Sequence, residues 1–334
     1  MKTKILQELR RNQDSYVSGQ ELCEQFGVSR TAVWKAIKQL KEAGYVIEAV
    51  QNKGYHLLAA PDILSESEIV SRFHTKWLGK TVRYFDELDS TNTEAKRIAE
   101  EAGETSWHGT VVVADMQTAG RGRRGRSWSS PHGAGLFFTI LLKPEIDLAN
   151  APMLTLVKAM AVVQGIRQTT GLKPQIKWPN DVVLHGKKIV GILTEMSAQV
   201  DYINHIVVGT GINVHHKEFP QEIAKTATSL DLEMMQLGKD AEISRAQLLG
   251  SVLEQFERYY EIYLQTQDLS VLVEEYNDML VNRNRKVRVL DPLGEYEGVA
   301  LGIDQRGQLL VEKGSEQVQI SSGEVSVRGI YGYV

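Results

Sequence analysis

Seven residues of this 334-residue chain, Gly120-Arg121-Gly122-Arg123-Arg124-Gly125-Arg126, put four guanidiniums and three glycines into one short loop. Guanidiniums suit a polyanion, because their planar donors pair bidentately with phosphate or carboxylate oxygens. Glycines let the backbone approach a ligand closely and make the empty loop costly to order. The run contains G-x-G-x-x-G, but a dinucleotide site needs a strand before that pattern and a helix opening directly after it. Here Ser127-Trp128-Ser129-Ser130-Pro131-His132-Gly133 leads into Leu136 to Leu142, which reads as another strand. No G-x-x-x-x-G-K-[ST] occurs, which excludes an ordinary P-loop. Two readings remain. One is a loop that is mobile when empty and closes over nucleotide phosphates, with Trp128 offering an aromatic face to a base. The other is an arginine cluster that is solvated or touches nucleic acid.

No nucleophile and base of the triad kind accompany the loop. The only cysteine, Cys23, reads as a small core residue and leaves no disulfide framework and no Cys-based zinc site. His215-His216 has no H-E-x-x-H or comparable ligand spacing, and adjacent side chains diverge, so no metal site is expected. His216 to Ser229 reads as a mobile polar loop.

The elements that must position these groups follow from periodicity. Val111 to Ala114, Leu136 to Leu142, Ile189 to Leu193 and Ile203 to Val208 read as buried strands, and Pro152 to Thr170 and Ser244 to Gln265 as long helices, giving an α/β layer with a mixed sheet. One seam falls at Ala59-Ala60-Pro61-Asp62, after which Ser65 and Glu68 stand in capping-box spacing. A second falls near Arg283. Beyond it, short β runs broken at Asp291-Pro292-Leu293-Gly294, Asp304-Gln305-Arg306-Gly307 and Lys313-Gly314 suit a small SH3-like barrel. The expected domains are residues 1–60, 61–282 and 283–334, a multidomain α+β chain.

Residues 1–60 differ electrostatically from the rest: they carry nine Lys/Arg and six Asp/Glu, net +3, against −7 for the remainder. Ile5, Leu6 and Leu9 form one helix face. Ser18 with Glu21 caps a second helix, and Ser29 caps a third whose Val33, Ala36, Ile37 and Leu40 face inward. Tyr45 to Val50 and Tyr55 to Leu58 flank Gln51-Asn52-Lys53-Gly54 as a hairpin, completing a winged helix-turn-helix. Arg30, Thr31, Trp34, Lys35 and Lys38 on the third helix, and Lys53 at the wing, are the residue types that reach base edges and phosphates in DNA. A module serving only protein contacts is the alternative. The charged start of the chain lacks the apolar core of a secretory signal, and no apolar run approaches the ~20 residues that span a bilayer. A cytoplasmic protein without membrane contact is expected.

The loop GRGRRGRSW does not stand alone. Together with LDSTN at Leu88 to Asn92, KWPND at Lys177 to Asp181, GKKIVGIL at Gly186 to Leu193 and GTGIN at Gly209 to Asn213, it resembles the biotin protein ligase family. With the winged helix in front, the whole chain resembles the bifunctional branch of that family, ligase and biotin operon repressor in one. The resemblance implies a central domain of the biotin/lipoyl ligase type. It also implies two-step chemistry: biotin and ATP with Mg2+ give biotinyl-5'-AMP, and biotin then passes to a lysine of a biotin carboxyl carrier domain of a biotin-dependent carboxylase. Operator DNA and a ligand-promoted homodimer are the other implied partners.

Carried over residue by residue, the resemblance implies a biotin pocket of Ser90, Thr91, Asn92, Gln117, Gly120, Arg121, Arg123, Lys188, Gly191 and Gly209. Ser90, Thr91 and Gln117 hydrogen-bond the ureido head in it. The nucleotide falls to Arg123, Arg124, Arg126, Trp128, Asn180, Asn213 and Arg328, with the His216 to Ser229 loop nearby. Lys188, Arg121 and Arg123 are the implied catalytic cations, Lys188 bridging carboxylate and phosphate. Thr91 with Glu94 also has capping-box spacing, so it reads equally as starting a helix. The missing base is consistent with this chemistry. A carboxylic acid with a pKa of about 4–4.5 is already ionised at neutral pH, and the barrier lies in bringing two anions together. A lipoyl-type ligase and a non-catalytic biotin-sensing regulator are the alternatives.

Overall fold

Serine caps and apolar spacing set the first elements, α1 (Lys2–Arg11), α2 (Gly19–Phe26) and α3 (Arg30–Glu42), followed by the hairpin β1 (Val46–Val50) and β2 (Gly54–Ala59). The structure is a computed structural model and describes all residues except 102–106, 240–242, 292–293, 323–325 and 330–332. Ser18 Oγ accepts from the Glu21 N–H at 3.0 Å and Ser29 Oγ from the Ala32 N–H at 3.2 Å, so both helices start at the expected caps. Gly27 ends α2 in the left-handed conformation at φ 63°. Ile5, Leu6, Leu9, Leu22, Val33, Ala36, Ile37 and Leu40 are buried in one apolar cluster, and Cys23 packs against it. The winged helix-turn-helix is formed as its spacing predicts.

Ser65 caps α4 (Glu66–Val70), accepting from the Glu68 N–H at 3.2 Å. The Glu68 side chain does not close the capping box. It is fully buried and binds Arg10 at 2.5 and 2.6 Å, Arg72 at 3.2 Å and the Tyr45 hydroxyl. Burial raises the Tyr45 phenol, and its bond to Glu68 raises it further. One carboxylate therefore ties α1 and the residue before β1 to the first helix beyond the linker.

The central sheet takes β3 (Val82–Leu88), β4 (Thr110–Gln117), β5 (Gly135–Leu142), β6 (Gln175–Lys177), β7 (Asp181–Leu184), β8 (Lys187–Ala198) and β9 (Ile203–Asn213) in the order β3-β4-β5-β9-β8-β7-β6. Only β3 and β4 are parallel, so the sheet is mixed as expected. Successive side chains leave opposite faces of a strand. Val111, Val113, Phe138 and Ile140 enter the main core under α6 (Met153–Thr170) and α8 (Arg245–Thr266), whereas Val112, Leu141 and Val207 pack under α5 (Thr91–Glu101). The short helices α7 (Leu230–Gln236) and α9 (Val273–Met279) complete this part. The stretch Leu148–Thr170 does reach membrane-spanning length and hydropathy, contrary to the expectation from apolar runs, but 72% of that window is buried inside the protein. It is a core helix, apolar on all sides because neighbours surround it.

Beyond residue 283, β10 (Arg285–Leu290), β11 (Tyr296–Ile303), β12 (Leu309–Lys313), β13 (Glu316–Ile320) and β14 (Ser326–Gly329) form an antiparallel sheet ordered β13-β12-β11-β10-β14. Turns fall at Asp304–Gly307 and at Lys313-Gly314 as expected; in the third expected break, Pro292 and Leu293 lie outside the described residues. Among the described residues β13 and β14 share no ladder, so what is seen is a five-stranded sheet rather than a closed barrel. Its Val287, Ala300, Leu309 and Val311 join the main core. Trp178 Nε1 donates to the Gly307 carbonyl at 3.0 Å, and Asn277 holds both backbone groups of Ile303.

Within that core α6 buries Lys158 completely, its Nζ 4.1 Å from the Phe138 ring centroid and 5.1 Å from that of Phe256, with no hydrogen-bond partner among the described residues. Burial drives this ammonium well below the ordinary lysine range, so the native chain gives up this proton at a lower pH than the unfolded chain does. The unfolded state then binds more protons, and stability rises with pH up to about 10.4. Lys158→Met is expected to stabilise the protein at pH 7 by about 1–3 kcal/mol, the cost of leaving a buried polar group unsatisfied. That margin should shrink as pH approaches 10, by about 1.4 kcal/mol per unit above the native value. Urea titrations of both proteins at pH 7 and 9 check this; a margin independent of pH contradicts it.

Candidate active site

The site lies on the face of the sheet that carries α5. There β8 and β9 present Gly191, Gly209 and Gly211 in place of side chains, and two adjoining cavities occupy the space. The smaller, about 50 Å3, is lined by Ser90, Thr91, Asn92, Gln117, Arg121, Arg123, Lys188, Gly191 and Gly209, all of them expected, together with Leu193 and Thr210 among others. Gly120 does not line it; a Cβ there would meet the Trp128 carbonyl at 2.5 Å.

Hydrogen bonds fix the polar wall. Gln117 Oε1 accepts from the Thr91 N–H at 2.9 Å and its hydroxyl at 3.2 Å, while Gln117 Nε2 donates to Ser130 Oγ at 2.9 Å. Thr91 does start α5, but its hydroxyl serves Gln117, and the Glu94 N–H turns to the Ser90 carbonyl instead. Asn92 accepts from Thr139 Oγ1 at 2.6 Å and donates to the Leu193 carbonyl and to Glu195. Burial would raise the Glu195 carboxyl, yet hydrogen bonds from Lys96 and Asn92 hold it below its ordinary value. The glycines allow this packing. A Cβ at Gly209 would sit 2.1 Å from Asn92 Oδ1, and one at Gly211 would sit 2.4 Å from Trp128 Nε1.

The larger cavity, about 360 Å3, is lined by Arg123, Arg124, Arg126, Trp128, Asn180, Asn213 and Arg328, every residue expected on the nucleotide side. The arginine loop folds back on itself, with Gly122 N–H donating to the Arg126 carbonyl and Trp128 N–H to the Gly120 carbonyl. Arg123 reaches across to Asn180 Oδ1 at 2.9 Å and the Ser322 carbonyl at 2.5 Å. Ligand phosphates are therefore not the only acceptors for this loop. The register of β7 against β8 shifts between Val182 and Val183 and leaves Ile189 unpaired, a β-bulge in β8 beside Lys188 of the kind that re-aims a side chain. Lys188 Nζ lies 2.5 Å from Asp181 Oδ1 and 5.3 Å from the Trp128 ring centroid.

Asp181 stands in the sequence as the last residue of the KWPND motif, and its chemical weight appears in three dimensions. Burial alone would raise its carboxyl, but Lys188 and Lys177 hold it below the ordinary aspartate value. Lys177, 6% exposed, is pushed down to about 8 by burial, with Lys188, Arg328 and Arg126 acting in the same direction against Asp181. Tyr333 donates to Asp181 Oδ2 and lines the same cavity. The segment after Asn213 closes the other side: His216, Phe219 and Ile223 line the cavity, and Lys188 exchanges backbone hydrogen bonds with Thr226 and Thr228.

His215 is engaged by Asp62 at 3.0 Å and Asp231 at 2.8 Å, and His216 stacks on Phe219. Asp86, Asp115 and His132 bring ligand atoms within 4.8 Å of one another, but the buried Asp115 is already paired with Arg245. Arg30, Thr31, Trp34, Lys35 and Lys38 are exposed along α3, and Lys53 is exposed on the turn of the wing.

Comparisons with known proteins agree with this arrangement. Residues 84–213 match the model of the biotin/lipoate A/B protein ligase family, residues 2–56 an HTH domain, and residues 284–328 the biotin protein ligase C terminal domain. The chain is 41% identical over 318 residues to the bifunctional ligase/repressor BirA of Bacillus subtilis, covering 94% of each, and 29% identical over 311 residues to that of Escherichia coli, covering 93% of this chain and 92% of that one. The solved biotin protein ligase of Aquifex aeolicus in complex with biotin and ATP superposes with a TM-score of 0.64 at 32% identity, covering 75% of this chain and 99% of that one. The helix-turn-helix, ligase and C-terminal matches follow one another along a chain that aligns over 94% of its length with a bifunctional ligase/repressor, and the chain belongs to the family of bifunctional biotin protein ligase/repressors.

Proposed function

We propose that this protein joins biotin to ATP as biotinyl-5'-AMP, passes biotin to a lysine of a biotin carboxyl carrier domain, and represses biotin genes when its winged helix binds operator DNA. One observation carries the catalytic part. The two cavities share Gly122, Arg123, Trp128, Asn180 and Lys188, so two cations stand where the contents of the two cavities meet. Biotin's carboxylate, already ionised, attacks the α-phosphorus and pyrophosphate leaves; the work of the protein is to offset the repulsion between the two anions. ATP enters as its magnesium complex, a substrate.

In this reading Ser90, Thr91, Asn92 and Gln117 bind the ureido head, with Gly191 and Gly209 leaving it room and Gly120 letting the loop pack against the Trp128 carbonyl beside the pocket. Arg121, Arg123 and Lys188 act on the reacting groups, and Arg124, Arg126, Trp128, Asn180, Asn213 and Arg328 hold the nucleotide. Residues 1–60, 61–282 and 283–334 form the DNA-binding, catalytic and C-terminal domains. The protein works in the cytoplasm, where its substrates and operator lie, and the adenylate favours a homodimer. A single module of net +3 binds DNA weakly, and a dimer doubles its phosphate contacts.

Lys188→Ala is expected to lower adenylate formation by about a hundredfold, close to 3 kcal/mol of transition-state stabilisation, while biotin binding persists. Pyrophosphate release and biotin calorimetry on the purified variant check this. A rate within twofold of the parent would falsify the assignment.

Repression is tested by sedimentation and operator titration at one salt concentration, with no ligand, with biotin, and with biotin and ATP. The dimer fraction and the DNA affinity should both rise in the third condition, as linkage requires. Arg30→Ala should weaken operator binding in every condition without changing pyrophosphate release. Equal dimerisation and affinity in all three conditions removes ligand control from the proposal.

A further inference from the structure

Tyr333, beyond β14, is far in sequence from every motif of the site, yet its phenol donates to Asp181 Oδ2. Its ring centroid lies 3.4 Å from Lys177 Nζ. Packing holds this segment from both sides: the Val334 side chain would lie 3.0 Å from a Cβ at Gly186, in the turn that leads to Lys188, and the Val334 carbonyl closes on Gly329 of β14. Asp181 has two cations within reach and treats them unequally. Lys188 Nζ approaches Oδ1 to 2.5 Å, while Lys177 Nζ stays 4.0 Å from Oδ2.

The phenol explains the inequality. It fills Oδ2, the oxygen nearer Lys177, with a neutral donor, and its ring offers the Lys177 ammonium an aromatic face in place of the carboxylate. With one oxygen hydrogen-bonded, rotation of the carboxylate about its Cβ–Cγ bond is restrained, and the other oxygen is left to its ion pair with Lys188 beside the junction of the cavities. Burial and Asp181 both raise this phenol, so it remains a donor over the whole working pH range. We propose that Tyr333 is a positioning residue for adenylate formation: by occupying one oxygen of Asp181 it leaves the other to aim Lys188. The proposal rests on the biotin-ligase reading above.

Tyr333→Phe keeps the ring over Lys177 and removes only the hydroxyl. In the full-length protein, at saturating biotin and MgATP, kcat for pyrophosphate release should fall about tenfold, the loss expected when one hydrogen bond to a charged group goes. The KM for biotin should stay within about twofold and the melting temperature within about 2 °C, since packing is unchanged. If the hydroxyl acts through Asp181, the same substitution on an Asp181→Asn background should cost less than about twofold more, because contacting residues do not add. A kcat for Tyr333→Phe within twofold of the parent overturns the proposal. So does a full tenfold loss on the Asn background, or a loss that appears only in KM for ATP together with a lower melting temperature. An active parent with an unaffected Tyr333→Phe removes the role of the tyrosine alone; a parent that releases no pyrophosphate removes the ligase reading and this role with it.

Discussion

Lys188 Nζ lies 2.5 Å from Asp181 Oδ1, and much of the cleft is arranged to keep that pair in place among like charges. Arg123, Arg124, Arg126, Lys177 and Arg328 line the same cavity. Such a concentration of cations repels itself, and the 6% exposure of Lys177 makes its charge costly enough to bring it down to about 8. Asp181 is the half-buried counter-charge that offsets part of this cost. The remaining positive potential is what two anionic substrates need in order to approach each other, since preorganised charge does not have to reorient at the moment of reaction. Because these cations come from the arginine loop, from β6, from the bulged β8 and from β14, the pair depends on all of those segments being in place at once.

The second condition is room. A sheet whose two faces both carried ordinary side chains would be filled on both, like the face against α6. On the α5 face the glycines of β8 and β9 keep the backbone bare, and the side chains that lie over it, Asn92 and Trp128, come from elsewhere in the chain. Asn92 is immobilised by Thr139, Leu193 and Glu195, so this wall is rigid before any ligand arrives. Affinity for a small apolar molecule with one polar head benefits from that preorganisation, because fewer groups have to be ordered on binding.

Two polar nodes join the winged helix to this machinery. Glu68 gathers Arg10, Tyr45 and Arg72 in a buried cluster, where losing one partner leaves an uncompensated charge. Asp62 in the linker accepts from the Arg245 N–H and Nε at 2.7 Å each and from His215, which lies two residues beyond Asn213 of the nucleotide cavity. The DNA-binding module is thus held by ion pairs and hydrogen bonds rather than by a shared apolar core; the apolar clusters of the two parts are separate. The C-terminal sheet is attached the other way, its apolar side chains merging with the main core.

Local spacing in the sequence determined the caps at Ser18, Ser29 and Ser65, the apolar faces of the first three helices, the long core helices and the buried strands, because each depends on neighbours within a few residues. The linked motifs also identified most of the residues lining the smaller cavity but only about half of those lining the larger, since each motif is a contiguous segment whose backbone brings its own side chains to one place. The segment after Asn213 and the C-terminal residues join the larger cavity only in the folded chain. What the sequence left undetermined are contacts between distant segments. Glu68 reads as half of a capping box and becomes a buried hub; Thr91 reads as a cap and spends its hydroxyl on Gln117; Lys158, inside a stretch that reads only as a long helix, is enclosed between Phe138 and Phe256. The grouping of Asp181 with Lys177, Lys188 and Tyr333 spans more than 150 residues of chain. No spacing rule encodes it, because which charges share one carboxylate is decided only when separate strands are packed together and water is excluded from between them.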